Sequence, residues 1–109
     1  MSDPVQHIVL FRFPRELSAD EEAEFLARIR AFPREVDMAF RALRVGRDVS
    51  GRAAGWRYAM LQEFDSEADL RAYQAHPAHG AFITWNAERG CETLAFDYPL
   101  TAETVVAGG

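Results

Sequence analysis

The chain has 109 residues, of which 49% are apolar, 27% charged and 12% aromatic, enough for one small domain, too few for two, and unlike a disordered tail, a fibre or a disulfide miniprotein. A net charge of −5 and a pI near 5.1 argue against nucleic acid or an anionic membrane as partner, and no apolar run reaches the roughly 18 residues that span a bilayer. The single Cys91 has no internal disulfide partner, and Met1-Ser2-Asp3-Pro4 puts no basic segment before an apolar stretch, so the expectation is a cytoplasmic protein without a signal peptide.

Val5 to Phe13 reads as a strand, with Val5, His7, Val9, Phe11 and Phe13 on one face and Ile8 and Leu10 on the other. Both faces are largely apolar, as in a strand covered on two sides. Ser18 to about Phe32 reads as a helix, opened by a Ser18/Glu21 capping box and striped by Phe25, Leu26, Ile29 and Phe32, with Pro33 expected to close it. Met38 to Asp48 suggests a second strand of imperfect alternation, and Gly46, Gly51 and Gly55 punctuate the loop after it. Gly55 to Phe64 is a third strand, expected to place Trp56, Tyr58, Met60 and Phe64 on one face.

Ser66, with Asp69 three residues on, opens a second helix that runs to about Ala75. His76-Pro77 breaks it, and Pro77 suits the first position of a further helical turn carrying Phe82, Ile83 and Trp85. Thr93 to Tyr98 is the last strand, and residues 101–109 are expected to form a loose tail on a single domain of residues 1–100.

The order β-α-β-β-α-β is the ferredoxin-like α+β pattern: an antiparallel four-stranded sheet with its helices on one face. Two helices cover one face only, yet strands 1, 3 and 4 carry apolar residues of both parities. The bare face requires a partner, and the reading is a two-fold homodimer packed sheet to sheet.

Nucleophile elbows, zinc-protease and dinucleotide fingerprints are absent, and all 12 basic residues are Arg, which removes Schiff-base and P-loop lysine chemistry. Ser18 and Ser66 read as caps. What remains is histidine: His7, His76 and His79. Tyr73, His76 and His79 fall within seven residues, and Tyr73 and His76 share a helical face. Strand parity brings His7 toward the same segment. Each also has a plain structural reading: His7 as a hydrogen-bonded core residue, His76 as a cap on the next turn, Tyr73 as core packing. A metal site built from the three histidines finds no supporting carboxylate spacing. The arginines at 41, 44, 47, 52 and 57 read as a solvated rim or as a hold for an anion.

His7-Ile-Val-Leu-Phe-Arg-Phe13, Glu63-Phe-Asp-Ser66 and Tyr73-x-x-His76-Pro77-x-His79 together resemble the stress-responsive A/B barrel (Dabb) family over about residues 5–98. The resemblance implies dimers that close an α+β barrel between two sheets. One activity in that family is cofactor-free aldol closure of a polyketide, and its catalytic Tyr and His match Tyr73 and His79, with a strand-1 histidine at His7. By that resemblance His79 is the general base, Tyr73 the hydrogen-bond donor to the developing oxyanion, and His7 an orienting or tuning group. The expected pocket lies between sheet and helices, with His76, Phe11 and Trp85 as further ligand contacts. It takes a small hydrophobic or carbonyl ligand, with no cofactor and no metal. Two rival readings stand beside it: a non-catalytic stress-responsive dimer held by a buried His/Tyr network, and, by shape analogy alone, a cofactor-free monooxygenase or haem-related barrel.

Overall fold

A computed structural model describes residues 3–108. Its elements are β1 (Val5–Arg12), α1 (Ala19–Arg30), α2 (Phe32–Glu35), β2 (Ala42–Arg47), β3 (Trp56–Phe64), α3 (Glu67–Ala75), α4 (Pro77–Ala87) and β4 (Glu92–Pro99). All pairings in the sheet are antiparallel, in the order β2-β3-β1-β4. This is the ferredoxin-like arrangement, with helices packed on one face of the sheet. Among the described residues no helix is long and apolar enough to cross a membrane.

The helix starts follow local chemistry. The Ser18 hydroxyl accepts from the Glu21 amide while the Glu21 carboxylate accepts from the Ser18 amide, so two otherwise orphaned donors are satisfied. Ser66 caps α3 by accepting from the Asp69 amide at 3.1 Å. Pro33 does not end the first helix as expected. The chain already breaks at Ala31, and Pro33 sits inside the short helix α2, where a proline lacks only an amide hydrogen that the first turn does not use. The second strand is also shorter than its pattern suggested. Phe40 lies outside it and packs its ring 5.2 Å from Phe64 and 5.7 Å from Tyr73. The turn after Pro77 extends into a helix of 11 residues.

The core lies between the helices and the inner sheet face. Val5, His7, Val9 and Phe11 of β1 all point into it, with Tyr58, Met60, Gln62 and Phe64 of β3. Phe25 on α1 is the hub: it is wholly buried and its ring sits 5.1 Å from Phe11, 4.8 Å from Tyr58 and 5.7 Å from Phe82. Such tilted and edge-to-face contacts add to the energy of area burial.

Trp56 departs from the expected face. A β-bulge between the Phe11 and Arg12 registers skips Arg57, so Trp56 pairs with Arg12 and turns to the outer side. The Arg12 guanidinium stacks 4.4 Å from the indole centre. Gly55 makes the approach possible: its φ is +87°, and a Cβ there would stand 3.3 Å from the Arg12 side chain.

The outer face carries Ile8 and Leu10 of β1, Ala59 and Leu61 of β3, and Leu94 and Phe96 of β4. Leu94 is 53% and Phe96 63% exposed, an apolar stripe with no helix over it. Beyond β4 the chain turns back: the Thr104 hydroxyl donates to the Pro99 carbonyl at 2.7 Å and the Leu100 amide to the Pro4 carbonyl at 2.7 Å.

Phe25→Ala removes the ring on which β1, β3 and α4 converge. It is expected to destabilise the fold by about 3–5 kcal/mol, read as a lower urea midpoint with an unchanged slope.

Candidate functional site

The helices lie over β1 and β3 and stop short of the edge strand, so the inner-facing Thr93, Ala95 and Asp97 of β4 stay exposed. Beside this uncovered edge is a cavity of about 110 Å³. His7, Tyr73 and His79 line it together with Phe11, Phe82 and Ala95. Three elements supply the polar groups: β1 by strand parity, α3 by helical spacing, and the start of α4 by the break at His76-Pro77.

Tyr73 is completely buried, and its ring stands 4.9 Å from that of His79, edge to face. Its hydroxyl has no hydrogen-bond partner among the described residues. Burial pushes the phenol well above its usual pKa; the Gln62 amide pulls slightly the other way without reaching hydrogen-bonding geometry. Tyr73 therefore keeps its proton throughout the neutral range and remains a donor in search of an acceptor.

His79 is half-buried. Burial lowers its pKa below 6.5, and the neighbouring His7 lowers it further against a smaller upward pull from the Gln74 backbone. The ring is thus uncharged at neutral pH and holds a lone pair for proton transfer.

His7 is buried, and its Nδ1 is bonded to the carboxylate of Asp97, its direct neighbour across the β1–β4 ladder. The Nδ1–H donates to that carboxylate, which fixes the orientation of the ring. Asp97 escaped the sequence reading. The signal that finds it is β4 parity combined with register: Thr93, Ala95 and Asp97 alternate onto the inner face, and the antiparallel pairing sets Asp97 opposite His7.

His76 and Trp85, expected as ligand contacts, do not line this cavity. The His76 Nδ1 accepts the Ala78 amide at 3.0 Å and so caps α4. Trp85 sits on the core side of α4, its ring 6.2 Å from Phe25 and under the Arg89 guanidinium at 3.7 Å. Phe11, the third expected contact, does line it. Among the described residues no group of three or more His, Cys, Asp or Glu side chains is placed to hold a metal ion. Cys91 is far from a reactive thiol, since burial pushes its pKa up to about 11.

The family described as the stress-responsive A/B barrel domain (Dabb) matches residues 5–100 of the chain. Several solved structures share the fold. A protein of unknown function from Bacteroides fragilis, described as dimeric and ferredoxin-like, is 29% identical, with 89% of this chain and 96% of that one covered and a TM-score of 0.73. A hypothetical Arabidopsis thaliana protein is 26% identical over 93% and 91% of the two chains, with a TM-score of 0.78. The hydroxynitrile lyase of Passiflora edulis has the same backbone at 20% identity, covering 94% and 97%, with a TM-score of 0.79. None of the curated proteins matches the chain.

The half-buried His79 gives a test of the site's electrostatics. Its proton is harder to add in the folded chain than in the unfolded one, so stability is full above pH 6.5, the ordinary value, and falls as the pH drops below it. Urea midpoints measured from pH 8 to 5 are expected to fall less steeply in His79→Gln than in the wild type.

Proposed function

The chain belongs to the stress-responsive A/B barrel family, and on that premise we propose that the cavity beside β4 binds the carbonyl end of a small apolar ligand and moves a proton on it without a cofactor. The observation that carries this reading is the unpartnered, fully buried Tyr73 hydroxyl beside an uncharged His79. A carbonyl oxygen in the cavity would supply the acceptor that the phenol lacks. That a hydroxynitrile lyase shares this backbone is consistent with an enzyme on the same scaffold.

The roles follow from chemistry. His79 takes the proton from the carbon next to the carbonyl. The electron pair of the broken C–H bond moves onto the oxygen as an enolate, and Tyr73 donates a hydrogen bond to the charge as it forms. His7, held by Asp97, stands beside the same space and lowers the pKa of His79. The proton then returns from His79 to the enolate carbon, or the enolate carbon attacks a second carbonyl. The size of the cavity limits the ligand: about 110 Å³ is well below the roughly 300 Å³ of the smaller drug-sized sites. It admits the reacting end, and any longer substituent must leave past the exposed Ile83 and the open side of β4.

The same chain is proposed to work as a homodimer. The bare outer face with Leu94 and Phe96 supports this, as does the description of the Bacteroides fragilis relative as dimeric.

A second reading has its own observation: the Tyr73 ring is packed by Phe32, Phe40 and Phe64 at 5.3–5.7 Å, as a purely structural residue would be. In that case the histidine network fixes packing and the dimer is non-catalytic.

Exchange of the methyl protons of acetone in D₂O, followed by NMR, separates the two. Proton transfer at the site predicts exchange above the buffer rate and a loss of about 100-fold or more in Tyr73→Phe and His79→Ala. If wild type and both variants exchange alike, and His79→Ala costs about 1–3 kcal/mol of stability, the structural reading replaces the catalytic one. For the dimer, Phe96→Asp is expected to halve the mass seen by light scattering at micromolar concentration; a wild-type monomer would remove the dimer reading.

A further inference from the structure

Gln62 lies on the inner face of β3. It is completely buried, and neither its Nε2 nor its Oε1 has a hydrogen-bond partner among the described residues. A buried amide in that state costs free energy and calls for an explanation. The proton-transfer reading gives it no part, and Gln62 does not line the cavity.

Its surroundings narrow the choice. Across the inner face the register sets Leu43, Gln62, His7 and Asp97 side by side on β2, β3, β1 and β4. Leu43 offers hydrocarbon only, and the His7 Nδ1 is committed to Asp97. The Tyr73 hydroxyl, brought in by α3, is likewise buried and without a partner. Burial governs the pKa of that phenol, and the one influence opposing it is the Gln62 amide, the effect of an N–H directed at the phenol oxygen. Two orphaned groups thus approach each other from β3 and α3.

The direction of a bond between them decides what the site can do. If the phenol donated to Oε1, its proton would be consumed inside the core. If Nε2–H donates to the phenol oxygen, the proton stays available to the cavity, and each hydrogen bond in the chain polarises the next. We infer that Gln62 is a positioning residue: its Nε2–H closes onto the Tyr73 oxygen when a carbonyl occupies the cavity, aims the phenol proton at the ligand and strengthens it as a donor. The inference rests on the reading of the cavity as a carbonyl site. The Gln62 backbone is paired with both β1 and β2, and its carbonyl also accepts from the Gln6 side chain at 3.0 Å. Closure is therefore left to the side-chain torsions, and hydrogen bonds at such sites commonly tighten only in the complex. As negative charge builds on the ligand oxygen, part of it is passed to the phenol oxygen, where the Gln62 N–H meets it.

Gln62→Met keeps the length of the side chain and removes the donor. Exchanging an unpaired buried amide for a thioether is expected to leave the urea midpoint at or above that of the wild type. Exchange of the acetone methyl protons at saturating acetone should slow about tenfold, with the half-saturating concentration little changed, as for an interaction that strengthens in the transition state. The relay also has a signature that needs no turnover. The signal of acetone labelled with ¹³C at its carbonyl is expected to move downfield saturably on binding, less in Gln62→Met and least in Tyr73→Phe. A carbonyl shift and an exchange rate in Gln62→Met equal to those of the wild type overturn the role of Gln62 and leave proton transfer in place. Wild-type exchange at the buffer rate with graded carbonyl shifts does the reverse. A full carbonyl shift in Gln62→Met with a lowered urea midpoint makes Gln62 a packing residue and overturns the inference. No carbonyl shift in the wild type removes both.

Discussion

The packing of one ring joins the core to the candidate site. Tyr73 is enclosed by Phe32, Phe40 and Phe64 on the core side and meets His79 on the other. The aromatic contacts fix the position of the ring, and the enclosure that stabilises it also strips water from its hydroxyl. A phenol in that position keeps its proton and has no partner among the described residues, a costly state in a folded protein unless something else supplies the acceptor. The packing of the core and the retained proton of the phenol therefore draw on the same burial. The same desolvation acts on His79 in the opposite chemical sense, by removing its charge.

The helical layer matters as much for where it ends as for what it covers. It buries β1 and β3 under an aromatic cluster centred on Phe25 and leaves the inner side of β4 open. An edge strand with Thr93, Ala95 and Asp97 on that side cannot contribute to an apolar core. It instead provides a small-walled opening and a carboxylate. His7 is consequently a hybrid, buried with the core yet joined to a half-exposed Asp97 at the rim.

The sheet's outer face has a different character at its two edges. Toward β4 it shows large exposed apolar side chains, which suit another protein surface. Toward β2 it is hollowed by Gly46 and Ala59 and flanked by Arg44 and a tryptophan held by Arg12. A single bulge separates this arrangement from one in which Trp56 would have stayed on the core face.

The element order, the capping of α1 at Ser18, the core face of β1 and the grouping of Tyr73 with His79 were all legible in the sequence, because each rests on local spacing: period two in strands, three to four in helices, and the break that His76-Pro77 imposes. Other features were decided by the tertiary structure alone. Asp97 became part of the site through cross-strand register, which no single strand encodes. Trp56 left its expected face because a bulge shifts parity, and parity arguments assume regular pairing. His76 capped a helix and Trp85 turned to the core, since which side of α4 meets the cavity depends on how that helix docks. Periodicity says which residues share a face; only the assembled layers determine what each face looks onto.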